Sequence, residues 1–167
     1  MKQVLSRILF LMVMAFVLTS CGHMPDEKMI EKGKAFEQKE QFSEAVAQYE
    51  KVAEVYPRSP QSADALYRAG LVYANALRNF PKAVTTLERV IREYPDSHIA
   101  PPCQFMIGFI YANSASDTSR ARMAYQTFLE TYPEHELVES VKWELQYLGK
   151  DINEIPALKS LSSESQN

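Results

Sequence analysis

The dipeptide Tyr-Pro occurs at Tyr56-Pro57, Tyr94-Pro95 and Tyr132-Pro133, each copy 38 residues after the last. A fixed period of this size restricts the chain to stacked copies of one supersecondary unit, each burying its apolar face against a neighbour. The echo continues inside the units. Ala45, Ala83 and Ala121 each lie 12 residues before their Pro, and Gly33, Gly70 and Gly108 lie 12 or 13 before the Ala. Three units and part of a fourth fit into the 167 residues, enough for one domain with a sizeable core.

Each unit reads as two helices. Gln41, Asn79 and Asp117 stand four residues before the Ala, in the capping position. Asn and Asp cap well because the side-chain oxygen satisfies an amide that the first turn leaves unpaired; Gln caps poorly. Ala83, Val84, Leu87, Val90 and Ile91 then recur at the spacing of a one-faced helix, which the Pro after Tyr94 stops. In the preceding helix Leu66, Ala69, Gly70 and Tyr73 form the matching stripe, with Gly70 small enough to admit the partner helix closely. Ser59-Pro60 and Ser97 are expected to start the first helices of units two and three, and Pro101-Pro102 to crowd the first turn of the latter or delay it. From Leu137 to Leu148 a single further helix carries Val138, Val141, Trp143, Leu145 and Leu148, with Gly149 as its C-cap.

Gly followed three on by Phe36, Tyr73 or Tyr111, then Ala followed four on by Tyr49, Leu87 or Tyr125, then Pro, resembles the tetratricopeptide repeat. The resemblance implies an all-α fold over residues 28–150: a right-handed superhelix of about three helix pairs plus a C-terminal capping helix. The unit exceeds the usual repeat of about 34 residues, in the Tyr-Pro-x-Ser linker and between its helices. That longer form resembles the repeats of outer-membrane lipoproteins such as the D subunit of the β-barrel assembly machinery and the Tol-Pal coordinator protein.

Ahead of the units, residues 1–20 have a basic start, Lys2 and Arg7, then the apolar run Ile8 to Leu18, too short to span a bilayer and right for a signal peptide. Leu18-Thr19-Ser20-Cys21 at its end resembles the bacterial lipobox. It implies a diacylglyceryl thioether and an N-acyl chain on Cys21, and no other cofactor. Several acyl chains, at about 0.8 kcal/mol per buried methylene, anchor a protein essentially permanently. Gly22 rather than Asp after the Cys implies the outer membrane, and the expected placement is its periplasmic face. Residues 21–27 read as a lipidated tether. In the first unit Glu27, Lys28, Glu31, Lys32, Lys34, Glu37, Lys39 and Glu40 alternate in sign, the pattern of a solvated helix face suited to a terminal repeat. Residues 151–167 read as a tail, disordered from Ser160 onward.

Composition excludes several function classes. The formal charge is −3, and loss of Lys2 and Arg7 with the leader makes it more negative, which disfavours nucleic acid as a partner. Once Cys21 is acylated Cys103 is the one thiol left, expected to be a buried and inert helix residue. His23, His98 and His135 fall in the tether and two linkers, read as exposed loop histidines with no nucleophile or carboxylate at a catalytic spacing. The five glycines are isolated, so no phosphate-binding loop exists. The chain reads as a non-enzyme.

Superposing the units leaves one constellation. Tyr67, Phe105 and Trp143 are 38 apart, as are Leu71, Phe109 and Tyr147, and as is the pair Asn75 and Asn113. In the family pattern these positions face the concave side of the superhelix. Spacing of four stacks Tyr67 over Leu71, Phe105 over Phe109 and Trp143 over Tyr147. This ladder reads as a groove for a polypeptide segment of another envelope protein, with the Asn amides free for main-chain hydrogen bonds. Two alternatives stay open: the ladder is core, or Ile152, Ile155, Pro156 and Leu158 fold back onto it. Self-association through the same face is the competing function.

Overall fold

Short intra-unit turns and Tyr-Pro stops force consecutive helices to run antiparallel. The computed structural model describes residues 24–114 and 116–150. The leader, Cys21 and the tail lie outside the described residues. Seven α-helices and no strand are described: α1 (Asp26–Gln38), α2 (Phe42–Val55), α3 (Gln61–Asn75), α4 (Phe80–Glu93), α5 (Ala100–Phe109), α6 (Thr118–Thr131) and α7 (Val138–Tyr147). A π-helical turn, Ile110–Ser114, extends α5. Every helix packs against its neighbours in sequence, and α1 also touches α3. The result is a helical-repeat superhelix of three pairs, α1/α2, α3/α4 and α5/α6, with α7 closing the end.

The caps follow the chemistry of the capping residues. Asn79 accepts a hydrogen bond from the Lys82 amide and Asp117 one from the Arg120 amide, whereas Gln41 makes no such bond. Tyr56, Tyr94 and Tyr132 are the C-caps of α2, α4 and α6. Asn79 and Asp117 also close their turns by bonding the carbonyls of Tyr73 and Tyr111 at 2.8 and 2.7 Å; Gln41, in a turn one residue shorter, bonds that of Phe36 at 2.9 Å. Each turn places a non-glycine residue, Glu40, Arg78 or Ser116, in the left-handed region at φ 57°, 53° and 51°.

The repeating glycine sets how closely a pair can approach. A Cβ on Gly70 would stand 2.7 Å from Leu87 Cδ2, and one on Gly108 2.5 Å from Tyr125 Cε1. Gly33 meets Tyr49 in the same way. Leu87, Tyr49 and Tyr125 are fully buried in consequence. The main core runs from Met29 and Ile30 through Leu66, Leu87 and Val90 to Ile107 and Ile110; a smaller one joins Ala121, Tyr125, Phe128 and Val141 between α6 and α7. Cys103 is a free, buried thiol, and burial pushes its pKa up, so it holds the inert role expected.

The linkers differ from expectation at three points. Helix α3 starts at Gln61, after Ser59-Pro60, and the Ser59 hydroxyl accepts from the Gln61 amide at 3.1 Å. Helix α5 starts at Ala100, three residues after Ser97, with Pro101 and Pro102 inside its first turn, where their missing amides have no helical partner to lose. His135, read as an exposed loop residue, is half-buried: its Nδ1 accepts from the Leu137 amide at 3.2 Å, and its ring stands edge-on to Phe128 at 5.8 Å. It occupies the position of Ser59 and Ser97, whose hydroxyls make the same bond. The charged face of α1 is exposed except at Glu37, which is half-buried and accepts from the Tyr49 hydroxyl.

Candidate functional site

The ladder is carried by the first helices of units two and three and by the closing helix. Tyr67, Leu71 and Asn75 lie on α3, Phe105 and Phe109 on α5 with Asn113 in its π turn, and Trp143 and Tyr147 on α7. The four-residue spacing brings the rings together within a helix. Phe105 and Phe109 are 6.3 Å apart at 31°, and Trp143 and Tyr147 are 4.9 Å apart at 49°. Among the described residues no ring pair joins one first helix to the next.

The ladder divides into a seated and an open half. Tyr67 is half-buried against the main core, and that burial raises its pKa. Phe105 is half-buried against the smaller core and lies 5.9 Å from the Tyr125 ring. Leu71 and Tyr147 are half-buried; Asn75 and Asn113 are exposed. Phe109 and Trp143 keep 39% and 43% of their surface in water, unusual for rings of this size. The Asn113 amide donates to the Phe109 carbonyl at 3.1 Å, so one of its two donors is already engaged with its own helix.

Three tyrosine–carboxylate bonds, which no sequence pattern had singled out, tie neighbouring helices together. Tyr49 donates to Glu37, Tyr73 to Glu50 at 3.1 Å and Tyr125 to Glu144 at 3.4 Å. Burial, with the nearby carboxylate adding to it, pushes Tyr73 up to about 12 and holds Tyr49 and Tyr125 well above the usual phenol range. Burial also raises the Glu144 carboxyl, against the lowering effect of the Tyr125 bond. The phenols therefore stay protonated and donating.

Two family models, both described as tetratricopeptide repeat, match residues 30–98 and 103–135. The chain belongs to the tetratricopeptide-repeat family. Its repeats are protein–protein interaction modules. Comparison with curated proteins returns no match. The repeat glycine, the aromatic residue three on and the alanine of the second helix are thus the packing positions of this family, and the ladder occupies the positions left over on each first helix.

The repeats are not equivalent at their outer junctions. Between repeats one and two Tyr73 reaches Glu50, with Lys82 Nζ 5.4 Å from the Tyr73 ring centroid. One repeat on, Tyr111 lies under the Arg120 guanidinium at 4.7 Å, and Asp117 holds that guanidinium at 2.7 Å. There the π turn borders a cleft of about 440 Å³ walled by Phe80, Val84, Glu88, Ile110 and Tyr111. Repeat three has the same glycine-to-alanine spacing as repeat two, so no insertion marks the π turn in the sequence.

Among the described residues no group of three His, Cys, Asp or Glu side chains could hold a metal ion, and no helix is long and apolar enough to cross a membrane.

Proposed function

We propose that this chain is a non-catalytic scaffold of the bacterial envelope, anchored by acyl chains on Cys21 to the periplasmic face of the outer membrane, that holds a polypeptide segment of another envelope protein on its ladder. The half-exposed rings of Phe109 and Trp143 on a rigid helical frame carry this reading. Large rings stacked on a neighbouring ring of their own helix lose little freedom on binding, so their contact area converts to affinity. Asn75 lies one turn beyond Leu71 and the remaining donor of Asn113 one turn beyond Phe109, where they can bond a ligand's main chain. The lipobox-like Leu18-Thr19-Ser20-Cys21 and the long repeat, similar to those of the assembly-machinery D subunit and the Tol-Pal coordinator, support the envelope placement.

The test is capture of partner from membranes by crosslinking. Phe109→Ala with Trp143→Ala should weaken capture by about 2–4 kcal/mol while the circular dichroism spectrum and melting behaviour persist. Undiminished capture by the double variant would refute the assignment. The exposed rings also suit a second copy of the chain. A concentration-dependent dimer of the unacylated protein, lost in the same variant, would make the ladder an oligomer interface instead.

A further inference from the structure

The point where the chain enters the domain is fixed by two bonds that the repeat fold does not require. The Tyr56 hydroxyl donates to the Met24 carbonyl at 2.7 Å, and the Ser59 hydroxyl donates to the Asp26 carboxylate. Both donors sit in the linker between α2 and α3, so Met24 is pinned to the edge of the molecule formed by the inter-repeat linkers. The opposite edge carries the intra-repeat turns at Glu40, Arg78 and Ser116. Helix α2, with 14 residues, separates the two edges by about 21 Å at 1.5 Å per residue.

Cys21 precedes Met24 by three residues, and three Cα steps reach at most about 11 Å. We infer that the linker edge is the membrane-facing edge of this protein, and that the ladder is built for a polypeptide segment lying along the bilayer surface. This inference rests on the anchoring reading above. Helices α3, α5 and α7 each start at the linker edge and rise away from the lipid. Leu71, Phe109 and Tyr147 stand ten, nine and nine residues above the starts of α3, α5 and α7, about 14 to 15 Å up. A row crossing these helices from Leu71 through Phe109 to Tyr147 therefore runs parallel to the membrane, a short distance above the headgroups. The partner that fits is a juxtamembrane segment of a protein held at the same membrane. The cleft beside Tyr111 and Arg120 lies on the far edge, turned to the aqueous side.

The experiment uses the full acylated chain in vesicles of phosphatidylethanolamine and phosphatidylglycerol, with single cysteines carrying a fluorophore at Arg58→Cys on the linker edge or Lys39→Cys on the turn edge. Both positions are exposed, and the native Cys103 thiol is buried. A headgroup-attached nitroxide should quench the label at 58 several-fold more strongly than the label at 39. A flexible 20-residue Gly/Ser insert between His23 and Met24 should abolish the contrast. Equal quenching at both sites, or stronger quenching at 39, overturns the orientation while leaving the anchor intact. A contrast that survives the insert shows that the tether is not its cause and overturns the inference too. Failure of the labelled chain to float with vesicles overturns the anchoring reading, and with it the orientation.

Discussion

Replacing Gly108 by Ala tests the claim that the repeat glycine sets helix approach. In an exposed helix interior this exchange stabilises by about 1 kcal/mol, because Gly surrenders more backbone freedom on folding. At Gly108 the new Cβ would lie 2.5 to 3.0 Å from three atoms of the Tyr125 ring, about 1 Å inside a carbon–carbon contact. Tyr125 has no free volume to retreat into: it is fully buried, packs against Phe105 and keeps its hydroxyl on Glu144. Overpacking costs about 1–3 kcal/mol, and a pinned ring puts the cost at the upper end, so the net loss is about 2 kcal/mol. At Gly70 the obstacle is Leu87 Cδ2 and Cγ, atoms of a side chain that is equally buried but that no hydrogen bond pins. Gly70→Ala should therefore lie within about 1 kcal/mol of neutral. Urea titrations of the unacylated protein, read as midpoint shifts at constant slope, measure both. Adding Tyr125→Ala should make Gly108→Ala favourable, a coupling that only direct contact produces. A neutral or stabilising Gly108→Ala in the otherwise native chain, or Gly70→Ala as the costlier of the two, would refute the reasoning.

Other expectations follow from single contacts. Asn79→Ala should lose about 1 kcal/mol, and Gln41→Asn should gain a similar amount by supplying the cap that α2 lacks, both read by urea titration. His135→Ser should retain the stability that His135→Ala loses, since Ser59 and Ser97 make the same bond from the equivalent positions. Tyr73 is held up to about 12 against an ordinary value of 10.0, so its contribution is intact below pH 10 and lost as pH rises toward 12. Helical circular dichroism should fall across that window, and Tyr73→Phe should flatten the decline; an unchanged slope would contradict the assignment. Hydrogen bonds from Ser59 to Asp26 and from the Arg120 amide to Asp117 lower these two carboxyls, so their contribution is present above the usual carboxylate pKa and lost as pH falls through the lowered values. Cys103 should resist maleimide until the protein unfolds, at a rate that tracks denaturant.

The fold was legible because it is periodic. Tyr-Pro stops, Asn79 and Asp117 caps and the Gly-to-Ala spacing act locally, through backbone hydrogen bonds and the steric size of single residues, and local effects leave their mark in the sequence. The half-burial of the ladder was not legible. Tyr67 and Trp143 occupy the same position two periods apart, yet one rests on the main core and the other stands in water. That difference depends on what neighbouring helices place beneath each ring, which no single period encodes. His135 was misread because a histidine at a serine's position accepts the same amide bond through a different atom, and only the linker geometry reveals the equivalence.

The sequence by itself determined the number of helix pairs, their boundaries within about three residues and the positions that would line their first helices. Tertiary structure decided which ladder rings stay open, the π turn that borders a cleft beside Tyr111, and the pinning of Met24 to the Tyr56–Ser59 linker. The pinning joins residues 32 and 33 apart, and the ring exposures depend on what other helices place beneath each ring, where side-chain volume and hydrogen-bond geometry in three dimensions outweigh any local preference.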